Sequence, residues 1–397
     1  MNINIKPSKL NGDIIIPCSK SVAHRLLICA SLSDSPSIIS NISFNNDILA
    51  TINCLRALNI DINIKDDKVY VNPNKLEVKD ILDASESGST LRFLIPLALR
   101  LNEEVTFKGS TRLMERPLSI YEEICKDNNY LFERKDNYLK VKGKLNSGNY
   151  KIDGSISSQF ITGLIYSLIL EDNDSTIEII NKFESKSYID LTIDAINRFN
   201  GKVSIKDNII YIKGNNKLKG QNISVEADES SASLIDAYNY IGNNIKVLGL
   251  NPNTKQGDRV YKDLYRQLSK DNTIIDLSDC PDLGPILIAL GSQLNGATFI
   301  NTRRLAIKEC DRGLAMKQEL SKLGVDIIVE ENRIIVPKSI IHKPSEIINS
   351  HNDHRIVMSM CLLLSIVGGT IENYEAVNKS FKDYFKLLKE VGLKYDY

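Results

Sequence analysis

One phrase recurs along this chain: an amphipathic helix ending in Leu or Ile, then two short strands joined by a charged or Asn-bearing turn. It is plain in CLRALNIDINIKDDKVYV (54–71), EICKDNNYLFERKDNYLKV (123–141), AINRFNGKVSIKDNIIYI (195–212) and ELSKLGVDIIVEENRIIV (319–336). Weaker forms stand at RQLSKDNTIIDL (266–277) and KLLKEVGLKYDY (386–397). A second set of apolar helices begins near Lys20, Gly88, Ser157, Ser230, Gly284 and His354, at spacings of 68, 69, 73, 54 and 70 residues. Self-similarity on this scale means that one supersecondary unit is reused. Each unit reads as roughly βαβαββ, which predicts an α/β protein of six similar modules, three per domain. The length, 397 residues with 42% hydrophobic content, agrees with two domains, each able to bury a core.

Fifty Lys and Arg balance fifty Asp and Glu, which disfavours nucleic-acid or membrane-surface binding, where an excess of basic residues is usual. Clusters of charge in a chain neutral as a whole must then mark local sites. The seven cysteines (18, 29, 54, 125, 280, 310 and 361) are odd in number and form no CxxC pair, so neither a disulfide framework nor a zinc site is expected. The opening MNINIKPSKL has no signal-peptide core, and no apolar run approaches the ~20 residues of a membrane span. A cytoplasmic chain is the expectation.

The starts of the second helix set carry the polar residues: CSKSVAHR (18–25), ESGSTLR (86–92), GSISSQF (154–160), DESSAS (228–233), CPDLGP (280–285) and NDHRIVM (352–358). Ser, Asp and Asn there cap unpaired N–H groups, and Gly88 leaves the backbone open to close approach. A helix N-terminus also carries about half a positive charge, so with Lys or Arg beside it an anion site can form. Lys20, Ser21 and Arg25 are the first such candidates. Alone, each stretch admits a plain capping or solvated role as well. His24, His342 and His351 are read as structural, and GDIIIPCSKS is no Walker loop, lacking the second Gly before its Lys.

The other helix set adds charge at RLMERPLS (112–119), QGDRVY (256–261), IKECDRG (307–313) and NKSFKDYF (378–385). Lys308 and Arg312, four apart, are expected on one helix face, needing either a bound anion or a salt bridge to Glu309 or Asp311 between them. Arg112 and Arg116 are expected in a loop that Pro117 keeps from running smoothly into a helix.

Taken in order, these stretches resemble the 5-enolpyruvylshikimate-3-phosphate synthases across nearly the whole chain. The resemblance implies the two-domain enolpyruvyl transferase fold, an inside-out α/β barrel of six βαβαββ units. It places residues 1–18 and 227–397 in one domain and 19–226 in the other, with the active site in the cleft between them. It implies that the lysine of the SKS motif, Lys20, lies at both substrates, with Ser21 and Arg25 holding shikimate 3-phosphate. The family's NxGTxxR motif, here residues 86–92, assigns Gly88 and Arg92 to phosphoenolpyruvate, and ERP adds Arg116. SSQ gives Ser157, Ser158 and Gln159 to the ring and its phosphate, Gln159 serving both substrates, while SKxYID gives Ser185 and Tyr188. The PD pair gives Asp282 and KExDR gives Lys308, Glu309 and Arg312; NDHR gives His354 and Arg355, and the late lysine is Lys379. Of these, Asp282 and Lys308 are implied at shikimate 3-phosphate, and Arg312, His354, Arg355 and Lys379 at phosphoenolpyruvate. Departures from the family pattern are Glu86 for the frequent Asn, Ser89 for Thr, and Arg304 where some members have Asn. A carboxylate such as Glu86 near an anion pocket weakens binding unless it faces a cation.

The implied reaction transfers a carboxyvinyl group from phosphoenolpyruvate to the 5-hydroxyl of shikimate 3-phosphate by addition and elimination, releasing phosphate without metal or cofactor. Asp282 and Glu309 are the implied acid and base, with Lys20 a further proton carrier. The inhibitor glyphosate competes for the phosphoenolpyruvate pocket in this family, whose members lead us to expect a monomer. Two alternatives stand beside this reading. The sister transferase acting on UDP-N-acetylglucosamine carries Lys-Asn where this chain has Lys20-Ser21, and a reactive cysteine before its Arg-Pro pair, where residues 110–115 here have none. A non-catalytic repeat protein binding polyanions would want aromatic residues among its basic clusters and no carboxylates such as Asp282 and Glu309.

Overall fold

The computed structural model describes all 397 residues. The chain forms two compact units, an inserted unit Cys18–Glu226 and a terminal unit made of Met1–Pro17 and Ala227–Tyr397.

In the inserted unit the helices are α1 (Lys20–Ser31), α2 (Asn46–Ala57), α3 (Gly88–Arg100), α4 (Thr111–Glu115), α5 (Ser119–Asp127), α6 (Ser158–Leu168) and α7 (Lys186–Arg198). Three four-stranded sheets repeat one plan, a parallel pair followed by an antiparallel hairpin. Strand Ser37–Ser40 pairs with Lys68–Asn72 and that with Asp61–Lys65; Val105–Lys108 does the same with Tyr138–Lys142 and Leu131–Arg134, and Ser175–Ile180 with Ile209–Ile212 and Val203–Lys206. The parallel edge strand of the first sheet, Asn222–Ser224, is the last strand of the unit, so both ends of the segment complete one module.

In the terminal unit the helices are α8 (Glu229–Tyr240), α9 (Tyr261–Leu268), α10 (Gly284–Gln293), α11 (Arg312–Ser321), α12 (His354–Val367) and α13 (Tyr384–Glu390). The strong repeat at 319–336 gives a hairpin, Ile328–Val329 with Arg333–Val336. Its two weaker copies give one strand each, Ile274–Asp276 and Lys394–Asp396. The missing partner of the last is the chain's first strand, Asn2–Lys6, which lies antiparallel between Lys394–Asp396 and Gly369–Glu372.

Local chemistry explains why the phrase repeats. After α2, α5, α7 and α9 the chain turns through left-handed asparagines, Asn59, Asn129, Asn200 and Asn272, and after α11 and α13 through Gly324 and Gly392. Asn tolerates this conformation through local hydrogen bonding, and it satisfies the helix end while redirecting the chain into a strand. The second helix set is buried on nearly every side. In α6 only Gln159 is half-exposed, and in α3 only Ser89 and Arg100 are. Such helices leave few polar residues outside their first turn, so their N-termini are where chemistry can be placed. None of the helices is long and apolar enough to cross a membrane.

Candidate active site

In the inserted unit α1, α3 and α6 start beside one another in a polar patch built on buried cations. Arg25, 3% exposed, donates from Nε to Thr192 Oγ1 (2.9 Å), from Nη1 to the Ser21 carbonyl (2.8 Å) and from Nη2 to the Tyr188 carbonyl (3.0 Å). Its guanidinium also lies over the Phe93 and Tyr188 rings. Every one of these partners is neutral, and burial lowers the Arg25 pKa from its ordinary value. A buried cation held only by dipoles is a site waiting for an anion.

Arg92 donates to Gln159 Oε1 (2.7 Å) and to the Pro117 carbonyl (3.0 Å), and its guanidinium stacks over Phe160 at 5.2 Å. Gln159 in turn donates to Ser89 Oγ (3.0 Å), which ties the first turns of α3 and α6 together. Pro96 inside α3 has no N–H for the carbonyl of Arg92, four residues back. The buried Tyr121 hydroxyl fills that role, donating to the Arg92 carbonyl at 2.7 Å. Gly163 is required at this crossing, because a Cβ there would stand 2.3 Å from the Arg92 carbonyl oxygen and 2.4 Å from the Tyr121 hydroxyl.

Arg116 precedes Pro117 and is extended (φ −63°, ψ 145°), which turns its side chain out of the short helix α4 and onto Gly88. A Cβ on Gly88 would lie 2.6 Å from Arg116 Nη1 and 2.9 Å from Cζ. Arg116 is 7% exposed, forms no ion pair, and its Nε has no hydrogen-bond partner. Lys20 is paired, its Nζ 2.8 Å from Asp47 Oδ2 on α2. Ser157 caps α6 and Ser158 opens it, both buried. Ser185 is fully buried and left-handed (φ 54°, ψ 41°), a conformation costly for Ser that tertiary structure must impose; it starts α7, whose first turn carries Tyr188.

Beneath this patch runs a buried chain of hydroxyls. His24 Nδ1 meets Thr51 Oγ1 at 2.7 Å, Thr51 meets Thr90 Oγ1 at 2.7 Å, and Thr90 donates to Ser87, the cap of α3 (2.7 Å). Burial, reinforced by Lys20 and Arg25, holds His24 neutral by lowering its pKa well below the usual value. His24 Nε2, at the end of this run, is buried without a partner.

The terminal unit holds a denser ion cluster. Arg312, 1% exposed, opens α11 and is gripped by three carboxylates: Asp353 (Nε to Oδ2, 2.8 Å), Asp282 (Nη1 to Oδ1, 2.9 Å) and Glu309 (Nη2 to Oε2, 2.7 Å). Asp282 also takes Lys308 Nζ at 3.1 Å and Arg355 Nη2 at 3.4 Å. Burial alone would raise Asp282, yet Lys308, Arg355 and Arg312 outweigh it and hold the carboxyl well below the ordinary range. For Lys308 burial wins over Asp282 and brings the ammonium down to about 8, with Arg312 and Arg304 helping. Asp353 caps α12 by accepting from Arg355 N (2.8 Å), so the residue that orients Arg312 also fixes the first turn bearing His354 and Arg355. Lys379 donates to the Asn352 carbonyl (2.5 Å), just before that turn.

The family model of EPSP synthase (3-phosphoshikimate 1-carboxyvinyltransferase) matches residues 5–388. The chain belongs to the EPSP synthase family. Among curated relatives, a 3-phosphoshikimate 1-carboxyvinyltransferase of Clostridium novyi is 41% identical over 98% of this chain and 97% of its own length. One of Clostridium kluyveri is 38% identical over 99% and 98%. A crystal structure of EPSP synthase from Acinetobacter baumannii shares the fold, with a TM-score of 0.80 at 20% identity and coverage of 100% of this chain and 99% of that one. The two-domain α/β fold of repeated units is therefore that of the EPSP synthases.

Within this EPSP synthase framework three local expectations change. Lys308 and Arg312 do not share a helix face: Lys308 ends a 3-10 turn (Arg303–Ile307) in extended conformation, and Arg312 begins α11. They meet on Asp282, through tertiary packing that a four-residue spacing does not describe. Asp311 is no salt-bridge partner of Arg312 but the cap of α11, accepting from Leu314 N. Residues 111–115 form the helix α4, and Pro117 acts one residue later by extending Arg116. The space beside Gly88 is filled by the Arg116 guanidinium. His351 pairs with Glu319 (2.8 Å), a structural role as expected. Asp47, Thr51 and Tyr121 lie outside the sequence motifs, whereas Thr90 stands inside residues 86–92 and Asp353 inside NDHR, neither with an assigned role.

Proposed function

We infer that this chain transfers the carboxyvinyl group of phosphoenolpyruvate to the 5-hydroxyl of shikimate 3-phosphate, releasing phosphate, in aromatic biosynthesis. Membership of the family carries the reaction. The single structural observation that supports the binding assignments is the pair Arg25 and Arg116, both nearly buried and neither matched by a carboxylate. Two anionic reactants repel each other, and such cations offset that repulsion in a low-dielectric setting. In this reading Arg25, Ser21, Ser157, Ser158, Gln159, Ser185 and Tyr188 hold shikimate 3-phosphate, and Gly88, Arg92 and Arg116 receive phosphoenolpyruvate with Gln159. Lys20 attends both.

His354, Arg355, Lys379 and Arg312 complete the phosphoenolpyruvate set. To take a reactant's anion, Arg312 must loosen at least one of its carboxylates, which makes it first an organiser of Asp282 and Glu309. Asp282 is ionised at neutral pH and accepts the proton of the 5-hydroxyl. Glu309 and Lys20 give a proton to the methylene carbon and withdraw one as phosphate leaves. Lys308 beside Asp282 steadies the charge that passes through it. Each charge-assisted contact contributes about 1.5 to 3 kcal/mol. The enzyme works as a monomer on dissolved substrates in the cytoplasm, an expectation supported by the family resemblance.

The test is to follow phosphate release with both substrates present and to identify the new enol ether by NMR. Steady turnover that disappears in Lys20→Met is expected. A folded wild-type chain that releases no phosphate overturns the assignment.

A further inference from the structure

Asp258, in the charged stretch QGDRVY (256–261), has been given no role so far. It sits in the 3-10 turn Gly257–Val260 before α9 and is 3% exposed. The turn is fixed by Gln256, whose amide donates to the Ala227 carbonyl (2.7 Å) and accepts from Glu229 N (3.1 Å). Asp258 receives a single side-chain hydrogen bond, from Ser230 of α8 to Oδ2, and its buried Oδ1 has no partner. An ionised carboxylate in such a place lacks the two or three donors it needs, whereas a neutral carboxylic acid carries no buried charge. The charged groups acting on it are the carboxylates Asp282, from the turn before α10, and Asp228, the cap of α8, opposed by the one cation Arg355 of α12. The Cys280 thiol feels the Asp258 charge in turn, and Arg259 points away to the Thr254 carbonyl (3.0 Å). Burial first, then Asp282, raises the carboxyl to about 7, with Arg355 and the Ser230 hydrogen bond pulling the other way.

We propose that Asp258 is a proton-holding residue that feels the charges of Asp282 and Arg355, and that an anion docking on Arg355 draws one proton from solvent onto the Asp258 carboxyl. The inference rests on the reading of Arg355 as a phosphoenolpyruvate contact. Once a phosphate or carboxylate neutralises Arg355, the cation that favours ionised Asp258 is lost, and the carboxyl takes a proton. When phosphate leaves, the proton returns to solvent. Anion binding and proton uptake are then linked, and by reciprocity anion affinity falls as pH rises above neutrality.

Calorimetric titration of sulfate into the full chain saturated with shikimate 3-phosphate tests this, because sulfate does not itself titrate near neutral pH. Run at pH 7 and 8 in two buffers of different ionisation heat, the wild type is expected to take up about half a proton per sulfate at pH 7. Asp258→Asn is expected to take up close to none. Ser230→Ala, which removes the one donor favouring the ionised form, is expected to move the maximum uptake to higher pH. Sulfate binding that weakens in Arg355→Ala, with equal uptake in wild type and Asp258→Asn, overturns the role of Asp258 while leaving the anion site intact. Sulfate binding unchanged in Arg355→Ala removes the reading of Arg355 and this inference with it.

Discussion

Replacing Gly88 by Ala isolates the contribution of Arg116. The new Cβ would stand 2.6 Å from Arg116 Nη1, 2.9 Å from Cζ and 3.1 Å from Nη2. Ordinary contact begins near 3.5 Å, so the guanidinium must move by about 0.9 Å. A displacement of that size carries a hydrogen bond of ~2.8 Å to ~3.7 Å, beyond useful range. Losing one charge-assisted contact of about 1.5 to 3 kcal/mol corresponds to ~10- to 150-fold. The loss is expected in the KM for phosphoenolpyruvate, with the KM for shikimate 3-phosphate changed less than about threefold. Stability is expected to hold or rise slightly, since Gly88 has helical backbone at the start of α3, where Ala is favoured by about 0.5–1 kcal/mol. The same substitution made in an Arg116→Ala background removes the collision, and there the KM for phosphoenolpyruvate should barely respond. A full effect in that background, or no effect in the wild type, refutes the geometry.

Tyr121→Phe leaves the Arg92 carbonyl without its donor across Pro96, and we expect a loss of about 1–3 kcal/mol in urea unfolding together with a lower kcat/KM for phosphoenolpyruvate. With Lys308 at about 8, its charge is present below that pH and lost above it, so kcat should fall as pH rises through 8, and Lys308→Arg should push that limb beyond pH 9. Asp258, at about 7 when folded and about 3.9 when unfolded, binds an extra proton in the folded state between those values. Stability from this group is therefore present at low pH and lost as pH rises toward 7, and Asp258→Asn should be the more stable protein at pH 8 by about 2–4 kcal/mol and equal to wild type near pH 4, measured by urea unfolding.

Periodicity made the modular fold legible, because each helix and hairpin is a local pattern closed by a local signal, the left-handed Asn or Gly at the helix end. The polar helix starts were legible for the same reason: a buried helix can expose polar side chains only there. What the sequence could not show was pairing between elements far apart along the chain. Lys20 meets Asp47 on a neighbouring helix, and Tyr121 supplies the hydrogen bond that Pro96 cannot give the carbonyl of Arg92, four residues before it. Lys308 and Arg312 converge on Asp282, some 30 residues distant, although their own spacing suggested a different reason. Asp258 stood in a charged stretch, but burial of a carboxylate with a single donor is a property of the packed turn and leaves no pattern in a string of letters.

The most direct test of the account is the steady-state rate of phosphate release from phosphoenolpyruvate and shikimate 3-phosphate by the wild type, Arg25→Ala and Arg355→Ala. The account predicts turnover by the wild type and a fall of about tenfold or more in kcat/KM in each variant, expressed toward shikimate 3-phosphate for Arg25 and toward phosphoenolpyruvate for Arg355. Folded variants that turn over both substrates as the wild type does would contradict it.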